Sequence, residues 1–377
     1  MKIEKLVYGG DGLARVDGQV VLVPFVLPGE EVEANVQRAK NDLLRGDVVE
    51  IVSPSQHRIA PSCPYFYRCG GCQYQHADYD FQLEQKRSIL LEVLRRVGKI
   101  EYEGNVETIA SEPWQYRNRV QLHVDNGAIG YFQAGSHRLC AIERCPISSP
   151  KLNEAIGVLS REIPKLPRFE TDLELFTNET EVQFLPSDRI PRAARELLDG
   201  IATTAPITYQ GFQVSRRSFF QTNRFLIDRL VEAAISGANG AWSIDLYGGV
   251  GLFSRALTAA FQKVSVVEAN DSAYRDLQTN VPNAEAIQAT AEQFLADLKE
   301  TPNFILADPP RAGLGKHNVA QLVRLRSPQL RIVSCDPATL ARDLRGLLDA
   351  GYKIERMILV DLFPQTFHLE TVVHLAA

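Results

Sequence analysis

The sequence predicts an α/β protein with a parallel sheet in its C-terminal part and a smaller, all-β part at its N-terminus. From residue 219 onward, apolar strands alternate with helical stretches, and one strand ends in a glycine-rich turn, as in a Rossmann-like domain. The first 55 residues instead contain short strands separated by glycine turns, without helical periodicity. The region between them mixes strands and helices. We therefore predict three domains, over residues 1–55, 56–210 and 211–377.

The composition is that of a soluble globular protein, since 45% of the 377 residues are hydrophobic and 23% are charged. The N-terminus carries no apolar signal segment and no stretch reaches membrane-spanning length, so we expect a cytoplasmic protein without a membrane partner. In that compartment cysteines are usually reduced, catalytic or metal-bound rather than paired in disulfides. The net charge of −5 gives no general support to nucleic-acid binding, so an RNA contact would need local basic patches.

The N-terminal strands predict a small barrel of the OB type. Tyr8–Gly12 is a glycine-rich turn, Asp17-Gly18 is a hairpin signal, and a further strand follows over Glu31–Val36. Barrels of this type often hold oligonucleotides. The alternative is a barrel that only braces its neighbour, and the excess of acidic residues in this part favours that alternative.

Three cysteines in the spacing C-x5-C-x2-C indicate a metal site: Cys63, Cys69 and Cys72. Zinc usually takes two C-x2-C pairs, and the second pair is missing. A fourth ligand must therefore come from Cys140 or Cys145, of which Cys145 precedes a proline as Cys63 does. An iron–sulfur cluster is favoured over zinc, and three unrelated cysteines are the remaining alternative.

Apolar periodicity predicts helices in the middle of the chain, over Tyr79–Val97, Lys151–Arg161 and Pro191–Asp199. The segment Trp114–Arg119 mixes aromatic and basic side chains, as a nucleic-acid surface does. A single amphipathic strand explains that segment equally well.

The C-terminal part carries a predicted ligand site at its strand ends. A helix over Arg224–Ile235 precedes a strand that ends in the turn Tyr247–Gly251. The next strand ends in Glu268, about 20 residues beyond the turn, where an acid suits hydrogen bonds to ribose hydroxyls. Another strand ends in Asp308, before two prolines and Arg311. Because the Gly-x-Gly-x-x-Gly spacing that grips a pyrophosphate is absent, S-adenosylmethionine is favoured over a dinucleotide.

Cys335 follows an apolar strand directly, at the position where open α/β sheets place their chemistry. A cysteine at a strand end is more often inert core, because free cysteine buries readily. A thiolate there could add to C6 of a uracil and make C5 a nucleophile, after which a base would remove the C5 proton. His368 and Glu370 are the base candidates, since alternation along a strand over Thr366–Leu375 places them on one face. The alternative for that pair is an exposed edge strand.

Ordered motifs in the C-terminal part resemble those of the RNA uracil-5-methyltransferases. They are Ser218-Phe219-Phe220-Gln221-Thr222-Asn223, Asp245-Leu246-Tyr247-Gly248-Gly249-Val250-Gly251, Asp308-Pro309-Pro310-Arg311, Ser334-Cys335-Asp336-Pro337-Ala338-Thr339-Leu340 and Phe363-Pro364-Gln365-Thr366. The cysteine cluster and the barrel with Pro28-Gly29-Glu30 resemble the branch with a TRAM domain and an iron–sulfur cluster. The resemblance covers essentially the whole chain.

The resemblance implies a monomeric enzyme that transfers a methyl group from S-adenosylmethionine to C5 of a uridine in 23S ribosomal RNA, with transfer RNA as the alternative substrate. It implies a TRAM barrel, a central domain with a [4Fe-4S] cluster and a C-terminal methyltransferase domain. It implies cofactor contacts from Gln221, Tyr247, Glu268 and Asp308. It implies Cys335 as nucleophile and Glu370 as base, with His368 in a supporting role. Cys63, Cys69, Cys72 and Cys145 would be the cluster ligands.

Two residues depart from the family pattern. Gly248 stands where many members carry a cysteine, which should only loosen the turn. Asp336 replaces a common asparagine, and its charge would raise the pKa of the adjacent thiol unless Arg311 offsets it.

Near the cofactor motif, Arg216, Arg217 and Arg224 are expected to meet RNA phosphates, with the target uridine flipped out of its stack.

Overall fold

A computed structural model describes residues 1–38 and 43–377. Its N-terminal part is a small barrel with the strand order β1-β2-β3-β5-β4, closed by a bridge between Lys2 and Glu31. Alternating apolar residues such as Val21 and Val23 point inward and form a core of their own. The barrel strands are β1 (Ile3–Leu6), β2 (Gly12–Val16), β3 (Gln19–Val23), β4 (Glu31–Arg38) and β5 (Leu44–Ser53).

The central part contains an antiparallel five-stranded sheet in the order β11-β10-β7-β8-β9, with two helices packed on it. The predicted helices are confirmed within one residue at each end. The central strands are β6 (Val106–Ile109), β7 (Arg119–Asp125), β8 (Ala128–Phe132), β9 (Leu139–Ala141), β10 (Thr171–Thr177) and β11 (Val182–Pro186). The helices are α1 (Tyr79–Gly98), α2 (Pro150–Glu162) and α3 (Arg192–Asp199).

The C-terminal part forms an eight-stranded sheet in the order β16-β15-β14-β17-β18-β20-β19-β6, after a short hairpin of β12 (Ile207–Tyr209) and β13 (Phe212–Val214). Its strands are β14 (Gly240–Leu246), β15 (Phe261–Glu268), β16 (Glu285–Gln288), β17 (Phe304–Ala307), β18 (Gln329–Ser334), β19 (Lys353–Val360) and β20 (Thr371–Ala376). The helices are α4 (Ile227–Ile235), α5 (Leu252–Leu257), α6 (Asp271–Asn280), α7 (Ala291–Asp297), α8 (Gly315–Leu325) and α9 (Pro337–Asp349).

The strand order reverses between β14 and β17, so a ligand crevice is expected outside the carboxyl ends of these strands. The predicted cofactor residues Tyr247, Glu268 and Asp308 lie at the ends of β14, β15 and β17, at this edge of the sheet. The α/β fold with an N-terminal barrel is thus confirmed. Within residues 1–38 and 43–377, no helix is both long and apolar enough to cross a bilayer.

The division of the chain near residue 210 is crossed by two elements. β6 pairs with β19 in parallel and forms an edge of the C-terminal sheet, and Leu90 and Leu94 of α1 belong to the same hydrophobic core as the C-terminal helices. The C-terminal sheet therefore includes residues from the predicted central domain.

The predicted strand over Thr366–Leu375 is wrong at its beginning, because β20 starts at Thr371 and the preceding residues form a loop. His368 and Glu370 therefore do not share a strand face. The edge-strand alternative is wrong as well, since β20 pairs with β18 on one side and β19 on the other. Apolar residues within the loop, such as Phe367 and Leu369, made it resemble a continuation of the strand.

Candidate active site

The predicted nucleophile and base meet at the ends of two paired strands. β18 and β20 are antiparallel, and their last aligned pair is Ser334 with Thr371. One step beyond that pair, Cys335 leaves β18 and Glu370 enters β20, so these residues lie across from each other. The Glu370 carbonyl accepts a hydrogen bond from the Val360 amide at 2.9 Å, which ties it to β19 as well. Register, rather than sequence proximity, brings the thiol and the carboxyl together.

The site contains buried carboxyl groups whose pKa values are raised by burial and by neighbouring negative charge. Glu370 is 5% exposed, and burial followed by the charge of Asp308 raises its pKa well above the ordinary value. Burial and the charge of Asp245 raise the pKa of Asp308 to about 7. Such a pocket favours a cationic ligand, because a positive charge would let both carboxyl groups ionise.

The thiol of Cys335 shares this environment. Burial, followed by the charges of Glu370 and Asp308, raises the pKa of Cys335 to about 12, while the charge of Arg311 lowers it. Arg311 therefore acts in the direction expected from the sequence. The thiolate is favoured when the carboxyl charges are neutralised or shifted away from it.

The predicted cofactor residues line the same sheet edge. The amide of Gln221 donates to Asp308 at 3.5 Å, and the Tyr247 hydroxyl accepts a hydrogen bond from Asn318 at 3.0 Å. The two carboxylate oxygens of Glu268 accept the backbone N–H groups of Gly249, at 2.8 Å, and Asn270, at 2.5 Å. Glu268 thereby orders the turn and retains lone pairs for further donors.

The four predicted cluster ligands line one cavity of about 240 Å³. Cys63, Cys69, Cys72 and Cys145 are all free thiols at its wall. Burial raises the pKa of Cys69 to about 12, and the charges of neighbouring thiols add to the effect. In the described part of the chain, no three His, Cys, Asp or Glu side chains are grouped closely enough to hold a single metal ion.

Cys140, the other candidate for the fourth ligand, is not among the residues of that wall. It is 3% exposed and packs in the core of the central sheet. The wall of the cavity also includes Phe367 and His368, three and two residues before Glu370.

Comparison with known proteins matches both the N-terminal and the C-terminal part of the chain to known families. The sequence profile of the tRNA (uracil-5-)-methyltransferases matches residues 205–377, and that of the TRAM domain matches residues 1–49. The chain is 32% identical to the 23S rRNA (uracil(1939)-C(5))-methyltransferase RlmD of Halomonas elongata, over 98% of this chain and 87% of that protein. An uncharacterized RNA methyltransferase of Aquifex aeolicus is 31% identical over 99% of this chain and 97% of its own length.

The chain belongs to the RNA uracil-5-methyltransferase family. Among solved structures, the Pyrococcus abyssi tRNA (uracil-54, C5)-methyltransferase in complex with S-adenosyl-L-homocysteine superimposes with a TM-score of 0.79. It is 26% identical and covers 100% of this chain and 99% of its own. This protein is accordingly an S-adenosylmethionine-dependent methyltransferase that acts on uracil C5 in RNA, and its N-terminal barrel is a TRAM domain.

The two departures of this methyltransferase from the family pattern have structural explanations. The Asp336 carboxylate caps α9, accepting the N–H groups of Ala338 and Thr339 at 3.0 and 2.8 Å, so it interacts favourably with the helix N-terminus. Gly248 does not simply loosen its turn, because a Cβ there would come within 2.2 Å of a methyl group of Val266. The glycine permits this close packing.

Tyr8 is a residue near the active site that the sequence revealed only as part of a turn. It lies in the TRAM domain, yet its hydroxyl donates to Asp336 at 3.3 Å and its ring packs edge-on against Phe367 at 5.4 Å between centroids. Burial and the negative charge of Asp336 raise the pKa of Tyr8. No local pattern could have shown that this turn reaches a residue 328 positions away.

The segment Trp114–Arg119 does not form the nucleic-acid surface considered from its composition. Tyr116 and Asn118 are fully buried and Arg119 is 8% exposed. Asn118 donates to the Gln221 carbonyl at 3.1 Å and Arg119 to the Ser218 carbonyl at 2.9 Å. The segment holds the predicted cofactor motif in place.

Of the three arginines expected to meet phosphates, Arg217 is exposed, while Arg216 and Arg224 are partly buried.

His368 is suited to a supporting position. Burial and the charges of Arg311 and Arg117 lower its pKa to about 4, so the ring is neutral near pH 7. It packs against Phe363 and Phe367 at 5.5 and 4.3 Å between ring centroids.

Proposed function

We propose that this methyltransferase modifies a uridine of 23S ribosomal RNA by covalent catalysis, with Cys335 as the nucleophile and Glu370 as the base. The observation that carries this proposal is the juxtaposition of Cys335 and Glu370 at the paired ends of β18 and β20. A nucleophile and a proton acceptor at neighbouring positions are what methylation of a ring carbon requires.

The chemistry follows from the weak nucleophilicity of uracil C5. The Sγ of Cys335 forms a bond to C6, and the electrons of the C5–C6 double bond move onto C5 and the C4 carbonyl oxygen. C5 then takes the methyl group from the sulfonium, leaving S-adenosylhomocysteine. Glu370 removes the proton from C5, the C5–H electrons re-form the double bond, and the Cys335 thiolate leaves C6.

S-adenosylmethionine, when bound, supplies the electrophilic methyl group and a positive charge. Gln221, Tyr247, Glu268 and Asp308 are the proposed contacts, and their convergence at the reversal of strand order supports that assignment. Arg311 stabilises the Cys335 thiolate, because it is the charge that lowers the pKa of this thiol. Asp308 holds its proton up to about pH 7 and ionises more readily beside a cation.

The substrate is proposed to be 23S ribosomal RNA because the relative RlmD, at 32% identity, bears that specificity in its name. Transfer RNA is the second candidate, supported by the solved tRNA (uracil-54, C5)-methyltransferase that covers the whole chain. In either case the uridine must leave its stack to reach Cys335, and we expect the exposed side chains of Arg217 and Phe219 to contact the RNA.

Replacing Cys335 with alanine is expected to lower 5-methyluridine formation by roughly 10⁴-fold or more, since the nucleophile is lost. Nucleoside mass spectrometry of separate 23S rRNA and tRNA substrates, incubated with enzyme and S-adenosylmethionine, measures both the reaction and its substrate. Cys140→Ala, a change at a buried cysteine of the central core, is the control and should retain activity. Equal methylation by wild type and Cys335→Ala contradicts the nucleophile assignment.

We further propose that Cys63, Cys69, Cys72 and Cys145 hold a [4Fe-4S] cluster. The common cavity supports this proposal, because all four thiols lie at its wall, and the sequence offers only one C-x2-C pair where zinc usually takes two. The four thiolates would hold the cluster, and in the cavity they would keep it away from bulk water. The cluster would cross-link the loop of Cys63–Cys72 to the segment around Cys145.

Anaerobic iron and sulfide analysis tests the ligand set. Wild type is expected to contain iron and sulfide in equal amounts, Cys145→Ala to lose most of both, and Cys140→Ala to retain them. The physical reason is that only Cys145 of the two belongs to the cavity wall. Zinc without sulfide in the wild type, or iron loss in Cys140→Ala alone, would overturn the assignment.

A further inference from the structure

The loop that leads to Glu370 is held by residues from outside the C-terminal sheet. This catalytic loop, residues 361–370, connects β19 with β20. At its start, Asp361 pairs with the fully buried Lys86 of α1 at 2.5 Å and accepts the Tyr79 hydroxyl at 2.8 Å. Farther along, the Tyr116 hydroxyl donates to the Pro364 carbonyl at 3.0 Å. The loop is therefore anchored to the region between residues 79 and 116.

Gln365 is the most constrained residue of the catalytic loop. It is 3% exposed and has a φ of 69°, in the left-handed region that is uncommon for residues other than glycine. Its side-chain oxygen accepts the Gln82 amide at 3.0 Å, and its backbone N–H donates to the Gln82 side-chain oxygen at 3.1 Å. Gln82 thus makes a reciprocal pair with Gln365.

The third contact of Gln365 comes from the cysteine-rich loop. Its carbonyl accepts the N–H groups of both Gln73 and Tyr74 at 3.0 Å, and these residues directly follow Cys72. The Gln73 side chain also joins the two loops, because it donates to the Gly70 carbonyl at 2.9 Å and accepts the Phe367 N–H at 3.4 Å. The cysteine-rich loop and the catalytic loop are hydrogen-bonded to each other at several points.

The nucleophile is held differently. Cys335 lies between β18 and α9, and the cap of α9 is made by Asp336. Phe367 of the catalytic loop packs against Tyr8, which donates to Asp336, but none of the bonds between Gln82, Gln365 and Gln73 involves that strand or helix. Loss of those bonds should therefore displace the base and leave the nucleophile in place.

We propose that Gln82 and Gln365 form a latch that positions Glu370 for removal of the C5 proton, with the backbone of Gln73 and Tyr74 as its second side. Gln82 and Gln365 are positioning residues, since neither needs to touch the RNA. The latch makes proton removal dependent on the conformation of the cysteine-rich loop. This inference rests on the proposed role of Glu370.

Gln82→Met removes the polar end of the side chain at nearly constant volume and leaves both partners on Gln365, and the Ala77 carbonyl, without these bonds. The turnover number is expected to fall about 10- to 100-fold, the size of effect that a misplaced catalytic group produces. Because attack by Cys335 is preserved, methylated RNA should accumulate as a covalent protein–RNA adduct on denaturing gels. The KM for S-adenosylmethionine should not change. Hydrogen exchange of residues 361–370 should be faster in the intact, iron-loaded variant.

Gln183→Met is the matched control. Gln183 is 2% exposed, and its amide donates hydrogen bonds to the carbonyls of Ala205 and Val214, far along the chain from the catalytic loop. Its loss of stability should resemble that of Gln82→Met, with the ratio of adduct to product unchanged. If Gln82→Met does not fold, Gln365→Met tests the same latch from its other side, because it removes the side-chain oxygen that accepts the Gln82 amide.

The outcomes separate the latch from the proposed function. Wild type that forms no 5-methyluridine contradicts the function itself. An active wild type together with a Gln82→Met variant whose ratio of adduct to product matches Gln183→Met overturns the latch. Loss of adduct and product in equal proportion also overturns it, because a general structural role would affect attack and proton removal alike.

Discussion

Glu370→Gln is expected to stop the reaction after methyl transfer and leave the enzyme covalently attached to its RNA. The glutamine amide cannot accept the C5 proton, so the double bond does not re-form and Cys335 stays bonded to C6. Release of 5-methyluridine should fall by about 10²- to 10⁴-fold, the usual contribution of general-base catalysis. Denaturing gel electrophoresis with labelled RNA and mass spectrometry of the adduct measure both effects.

The matched control for this substitution is Glu355→Gln. Glu355 is an exposed residue of β19, near the end of the strand remote from the catalytic site, so the same chemical change there should leave turnover unchanged. Normal turnover by Glu370→Gln would falsify the assignment of the base. His368 would then be the next candidate, although its neutral ring lies among aromatic side chains.

Asp308→Asn is expected to stabilise the free enzyme at pH 8 and to weaken its binding of S-adenosylmethionine. Burial and the charge of Asp245 raise the pKa of Asp308 to about 7 in the folded protein. Ionising this group at pH 8 opposes folding by an amount on the order of 4 kcal/mol, because its pKa is about three units above that of an unfolded chain, and asparagine carries no such charge. The lost charge–charge contact should weaken cofactor binding about 10- to 100-fold.

The sign of the pH dependence follows from the raised pKa. The stabilisation by protonated Asp308 is complete below the pKa of the unfolded chain and is lost as the pH rises through about 7. The melting temperature of the wild type should therefore decrease as the pH is raised from 5.5 to 8, and that of Asp308→Asn should decrease less. Isothermal titration with S-adenosylmethionine measures the affinity.

Asp297→Asn, an exposed substitution at the end of α7, is the control for this experiment. It removes one negative charge from the protein without altering the catalytic pocket. Equal pH dependence of the melts in wild type, Asp297→Asn and Asp308→Asn would show that Asp308 is not the group responsible.

Much of the fold followed from local patterns. The apolar stripe of α1 predicted the helix to within one residue, and the strands that end in Tyr247, Glu268 and Asp308 were recognisable from their apolar runs. The start of β20 was missed, because hydrophobic residues before Thr371 continue the pattern of a strand while forming a loop. Periodicity cannot distinguish these cases, since both bury apolar side chains.

The residues that contact the site residues were harder to predict from the sequence. From the sequence, Asp336 was expected to raise the pKa of Cys335 because it is the next residue in the chain. In the structure, the largest charge effects on that pKa come from Glu370 and Asp308. The aromatic and basic segment Trp114–Arg119 suggested a surface, although three of its six residues are buried and two of these, Asn118 and Arg119, donate to the predicted cofactor motif. Burial depends on which elements pack together, and composition does not contain that information.

The sequence by itself determined the kinds of residues available for chemistry, their positions at strand ends and the family that carries these motifs. Only the tertiary structure decided that Cys335 lies across from Glu370 and that Gln82 is hydrogen-bonded to Gln365. It also decided that Cys145, and not Cys140, lines the same cavity as Cys63, Cys69 and Cys72. Each of these contacts joins distant parts of the chain through strand register or buried hydrogen bonds. Local periodicity sets the elements, whereas long-range pairing and burial set which side chains meet.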